Sequence, residues 1–161
     1  MKATDLLKKQ HVSVSKLFEE LRDSEDAGEK EALLEELADK LAAHATIEEK
    51  LFYPAVYTGD LAEMLSEAVE EHLSMKRLLV DLLALDPDDD SFDAKVKVLE
   101  EQKDHHVKEE EKELFPRVEK LMGHAELELL GARMHALFET EMDEAPRDKL
   151  PDQTDEAAPL H

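Results

Sequence analysis

A polar sequence block that recurs inside apolar helical stripes constrains this chain more than any other feature. His44-x-x-x-Glu48-Glu49-Lys50-Leu51-Phe52-Tyr53-Pro54 is matched by His106-x-x-x-Glu110-Glu111-Lys112-Glu113-Leu114-Phe115-Pro116. His44 to His106, Glu48 to Glu110 and Pro54 to Pro116 are each 62 positions apart, and His11 to His72 is 61. The chain therefore reads as two related helical hairpins. Each hairpin carries one lone His on its first helix and a His-x-x-x-Glu on its second.

Helical periodicity supplies the frame for that repeat. Leu7, Val14, Phe18 and Leu21 share one stripe, with Thr4-Asp5 as the expected helix start. Leu34, Leu37, Leu41 and Leu51 form the second stripe; Leu65, Ala68, Met75, Leu79 and Leu82 the third; Phe92, Val96, Leu99 and Leu114 the fourth. Asp60 with Glu63 resembles a capping box before the third helix, and Asp86-Pro87-Asp88-Asp89-Asp90-Ser91 is a turn before the fourth. Four Gly and six Pro in 161 residues leave little turn chemistry for strands. The fold class is all-α, an up-down-up-down four-helix bundle with an additional C-terminal helix over about 124–142. That domain spans 1–144. Residues 145–161 hold three prolines and no periodicity, and are expected to form a disordered acidic C-terminal tail.

Charge narrows the partners. Lys plus Arg is 20 and Asp plus Glu is 42, a formal charge of −22. Such a surface repels phosphate backbones and anionic headgroups, so no nucleic acid and no membrane partner is expected. With no Cys there is neither a disulfide framework nor a thiolate metal site. The start of the chain, Met1-Lys2-Ala3-Thr4-Asp5, lacks the apolar stretch of a signal peptide, and the expected location is cytoplasmic.

Inside the stripes, six polar residues occupy core positions. His11 lies with Leu7 and Val14, His44 and Glu48 continue from Leu41, His72 precedes Met75, and His106 and Glu110 continue from Leu99. A buried unpaired carboxylate costs several kcal/mol, so two of them demand compensation. Cations held by those carboxylates and by neutral imidazoles supply it. Residues i and i+4 lie one turn apart on a helix face, about 6 Å between Cβ atoms, so His44 and Glu48 both point inward. The repeat gives three candidate ligands per half: His11, His44 and Glu48, then His72, His106 and Glu110. Imidazole and carboxylate together suit iron, manganese or zinc. His105 has Glu109 four residues on, but its face also carries Val98, Gln102 and Lys112 and reads as solvated. His124, His135 and His161 have no counterpart in the repeat and read as structural.

These motifs resemble the hemerythrin-like, or HHE cation-binding, family over about residues 3–142. The resemblance implies a four-helix bundle holding two iron ions as an oxo- or hydroxo-bridged di-iron centre. It also implies small ligands: O2, nitric oxide or peroxide. Lys76 stands where O2-carrying members place a second third-helix His, and His106-x-x-x-Glu110 replaces their His-x-x-x-x-Asp. The chain is therefore similar to the four-His, two-Glu subgroup, with metal ligands His11, His44, Glu48, His72, His106 and Glu110. Water, substrate, or a phenolate such as Tyr53 or Tyr57 is left to fill the position that Lys76 vacates. The expected function is a non-haem di-iron protein that binds, senses or reacts with these ligands. The alternative is an iron-binding or iron-buffering and sensing module without catalysis.

Overall fold

The computed structural model describes residues 1–160. Helix α1 spans Ala3–Asp23, α2 Ala27–Ile47, α3 Tyr53–Val56, α4 Ala62–Leu83, α5 Phe92–Glu109, α6 Phe115–Leu121 and α7 His124–Asp143. A π turn, Glu48–Phe52, joins α2 to α3, and a second, Glu110–Leu114, joins α5 to α6. Counting α2–α3 and α5–α6 as continuous rods, the bundle is α1, α2–α3, α4 and α5–α6, with α7 packed against α1 and α2. There is no strand among the described residues, and no helix is long and apolar enough to cross a membrane.

The helix starts show where tertiary contacts override local signals. Asp26 caps α2 by accepting from the Glu29 backbone N–H at 2.9 Å. At α1 the expected Thr4-Asp5 cap does not form. Thr4 lies inside the helix, and its hydroxyl donates to Glu119 Oε1 at 2.7 Å, tying α1 to α6. The expected Asp60 cap is also absent, because buried Leu61 precedes α4 and sets its entry.

Buried apolar side chains divide into two clusters. One gathers Leu7, Ile47, Phe52, Leu65, Phe115 and Val118 around the π turns. The other gathers Val14, Phe18, Leu37, Leu79, Phe92 and Leu99 toward the opposite end. The predicted polar core residues fill the layer between them. Helix α7 closes on the first cluster through Leu127, Leu130 and Met134. Its approach requires Gly131, where an added Cβ would lie 2.1 Å from the Met1 carbonyl oxygen.

The expected disordered tail is a correction. Ala145 turns the chain at φ 51°, and Pro146–Gln153 form a 3-10 strap across α2 and α4. Leu150 is 0% exposed in the second cluster and Leu160 is buried in the first, so two well-placed leucines order what lacks periodicity. His161 lies outside the described residues.

Candidate metal centre

The six predicted residues converge in one buried layer. Glu48 Oε1 is 3.1 Å from His44 Nε2, 3.2 Å from His72 Nε2 and 3.8 Å from His106 Nε2. Glu110 Oε1 is 3.2 Å from His11 Nε2 and 3.4 Å from His106 Nε2. Two groups result, His11, His44, Glu48 and Glu110 on one side and Glu48, His72 and His106 on the other. Glu48 is common to both. The sequence-derived division assigned Glu110 to the second half; the structure also brings it to His11, because α5 and α1 are neighbours in the bundle.

All four imidazoles face the same way. His11 Nδ1 lies 2.6 Å from Glu111 Oε2, His44 Nδ1 2.7 Å from Gln10 Oε1, His72 Nδ1 2.7 Å from Glu49 Oε2, and His106 Nδ1 2.8 Å from Glu71 Oε1. Each outer acceptor accepts a hydrogen bond from Nδ1–H, which leaves Nε2 aimed inward as an electron-pair donor. Sequence reasoning did not identify these four acceptors. They obey the repeat nonetheless: Gln10 and Glu71 precede the lone histidines, and Glu49 and Glu111 follow the inward glutamates.

Lys76 takes its place in the same outer layer. It is buried, and its Nζ donates to Glu49 Oε1 at 2.9 Å while the other oxygen of Glu49 holds His72. Lys76 therefore braces the residue that orients His72.

Tyr53 is the further inward group. Its hydroxyl donates to Glu110 Oε2 at 2.8 Å and lies 3.3 Å from His72 Nε2 and 3.4 Å from His106 Nε2. Five residues of regular α-helix would leave Tyr53 about 140° around from Glu48. Pro54 has no N–H for the carbonyl four residues back, and its ring crowds that carbonyl, so the helix widens there. The Tyr53 N–H bonds the Glu48 carbonyl instead, which brings Tyr53 over Glu48. The same turn forms before Pro116, where the Phe115 N–H bonds the Glu110 carbonyl. Phe115 stacks on His11 with no hydroxyl, so the twofold site is chemically asymmetric. Tyr57, the other tyrosine considered, is 40% exposed.

Protonation follows this geometry. Burial opposes the Glu48 charge, but the charge of His44 and the approach of Glu110 and His106 hold its carboxyl well below the ordinary value of 4.5. Burial and the neighbouring Glu48 charge push Glu110 up. Burial disfavours charge on His11, His72 and His106, yet the facing glutamates outweigh it, raising all three above 6.5 and His106 well above. Burial and the Glu110 and Glu48 charges push the Tyr53 phenol far up, so it stays neutral.

The donor set fits a cation. His11 Nε2, both oxygens of Glu48 and Glu110 Oε1 are fully buried and have no hydrogen-bond partner. His72 Nε2 and His106 Nε2 face each other at 3.1 Å. Converging lone pairs and orphaned carboxylate oxygens are unfavourable unless protons or metal ions stand between them. The remaining histidines are outside this layer. His105 is 60% exposed beside Glu71 and Glu109, and His124 and His135 pair with Glu128 and Glu139 at the surface.

Known proteins resemble this chain. Residues 2–118 match the hemerythrin HHE cation-binding domain. The solved structure of an HHE cation-binding domain-containing protein from Mycobacterium kansasii is similar to this chain with a TM-score of 0.81 at 27% identity, covering 96% of this chain and 94% of that one. A DNA nickase of Nostoc sp. is 33% identical over 122 residues, 73% of this chain but 34% of that protein. The chain thus spans about a third of that relative's length.

Proposed function

The chain belongs to the hemerythrin HHE cation-binding family, and from that premise we propose that its buried centre holds two iron ions and reacts with small ligands such as O2, nitric oxide or peroxide. The observation that carries this reading is the set of orphaned, inward-facing oxygens and nitrogens in a buried layer. One ion would be held by His11, His44, Glu48 and Glu110, the other by His72, His106 and Glu48, with Glu48 shared. Iron bound there supplies redox change and a Lewis-acidic position for a small ligand.

The protein's own groups do the rest. Glu49, Glu71, Glu111 and Gln10 fix the imidazole orientation and strengthen the donors. Tyr53 is the phenol beside the second group, placed to donate a hydrogen bond to Glu110 or to approach the second ion as a ligand in place of a second third-helix His. The proposed setting is cytoplasmic. A charge of −22 supports small-molecule partners over nucleic acid or membranes, so the nicking of DNA is left with the longer Nostoc protein.

Metal analysis after anaerobic reconstitution tests the premise. About two irons per chain are expected, and fewer than about one overturns it. Nitric oxide should then change the visible spectrum, and peroxide should be consumed and lose that consumption in His44→Ala. Iron binding with neither response would instead favour a metal-buffering module.

A further inference from the structure

A cavity of about 30 Å³ opens on the imidazole face of the centre, bordered by His11, His44, His72 and His106 but by none of Glu48, Glu110 and Tyr53. The carboxylates and phenol therefore back the site, and this cavity is its front. The remaining wall is apolar, with Val14, Met75, Leu79 and Leu150 contributing. Lys76 and Lys103 also border it, but their ammonium groups are engaged elsewhere. Lys76 Nζ is held by Glu49, and Lys103 Nζ lies 3.0 Å from Ser15 Oγ and 2.6 Å from Asp104. A cavity of this size and polarity suits an uncharged ligand of two or three heavy atoms.

Leu150 is the one lining residue that does not come from a bundle helix. Helices α2 and α4 meet each other sparingly, and the strap lies over their seam. Its fixings are polar and peripheral. Arg147 pairs with Asp39 at 2.6 Å, and Arg77 donates to the carbonyls of Thr154 and Asp155 at 2.9 and 3.3 Å. Outside, a cleft of about 400 Å³ lined by Lys149 and Gln153 of the strap reaches Glu49 and Lys76. Lys76 borders both spaces, so the strap and its leucine stand between solvent and the front of the centre.

We propose that Leu150 is the gate residue of this centre. The strap hinges after Ala145, and lifting Leu150 from the α2–α4 seam admits the small ligand to the imidazole face. A segment held by rim ion pairs and only two buried side chains, Pro146 and Leu150, opens more readily than the helices it covers. The role as a ligand gate rests on the proposed metal reading; the opening itself does not. A rival door exists. Val14 borders both this cavity and a cleft of about 410 Å³ between α1, α2 and α7, so entry past Val14 is the alternative.

Because the chain has no cysteine, Met75→Cys gives a single reporter inside the cavity. Its modification rate by methyl methanethiosulfonate is measured in metal-free protein below the melting transition. Leu150→Ala should raise that rate at least about tenfold, Leu150→Met should restore it, and Val14→Ala should leave it within about threefold. Arg147→Ala, which leaves the cavity wall intact, should accelerate it in the same direction and guards against a folding defect in Leu150→Ala. In iron-loaded protein the nitric oxide association rate should follow the same order without the reporter. Acceleration by Val14→Ala alone, or by none of these variants, overturns the gate. Failure to bind iron removes only the ligand assignment, because the cysteine rates still decide whether Leu150 opens.

Discussion

Replacing each inward glutamate by glutamine should separate two residues that the repeat makes equivalent. In the metal-free protein the charge on the Glu48 carboxylate is approached by three histidines at 3.1, 3.2 and 3.8 Å. Glu48→Gln removes that charge from among imidazoles whose own pKa values are raised by the facing glutamates. Breaking a buried charge pair costs about 3–5 kcal/mol, and the retained amide places the expected loss near the lower end, about 3 kcal/mol. For a chain of this size that is a fall of about 6–12 °C in Tm. Glu110 is different because burial and the Glu48 charge push its pKa up, so its own charge is the less favoured of the two. In Glu110→Gln the amide oxygen can accept from Tyr53 and the amide nitrogen can donate to His11 Nε2, replacing contacts at 2.8 and 3.2 Å. The expected change is within about 1 kcal/mol. Thermal melts of chelator-treated protein at pH 7 measure both, and metal analysis should find loss of metal in both. Glu109→Gln, on the outer face beside His105, is the control and should alter neither. If Glu110→Gln melts as low as Glu48→Gln without metal, the assigned division of charge is wrong.

Three further outcomes are expected. Raised histidine pKa values make a contribution that is complete below pH 6.5 and lost as pH rises through the folded values, while the lowered Glu48 contributes above 4.5 and fails as pH falls through its folded value. Melts of metal-free protein should therefore weaken above about pH 6.5, whereas metal affinity, by competition with those protons, should rise over the same range. Gly131→Ala should destabilise by about 1–3 kcal/mol with or without metal, read by denaturant titration, because its Cβ meets backbone at 2.1 Å. Tyr53→Phe should keep the fold, costing about 1–2 kcal/mol for the hydrogen bond to Glu110, and any metal-dependent visible band that differs from wild type identifies contact with the phenol.

What the sequence made legible follows from which physical signals are periodic. Apolar stripes located the bundle helices, and the same stripes placed His11, His44, Glu48, His72, His106 and Glu110 inward, where all are buried. Glu49, Glu71 and Glu111 escaped because 42 acidic residues hide any three of them. Their partners lie on other helices, so no spacing along one helix reveals them. Leu150 escaped for the opposite reason. A single leucine between two prolines has no period, and its burial comes entirely from the seam it fills.

Tyr53 joins these cases through chemistry rather than composition. Both prolines of the repeat were visible, and each abolishes one helical hydrogen bond just beyond an inward glutamate. Their consequence, a widened turn, rotates residue five onto the glutamate's own face. In one half that residue is Tyr53, in the other Phe115. One backbone device thus builds both halves, and one hydroxyl distinguishes them. The Tyr53 side of the layer gains a proton donor beside His72 and His106, while the Phe115 side is closed by a ring against His11. The two sides of the layer are chemically unequal as a consequence, and the opposite pKa shifts of Glu48, held low, and Glu110, pushed up, carry the same inequality.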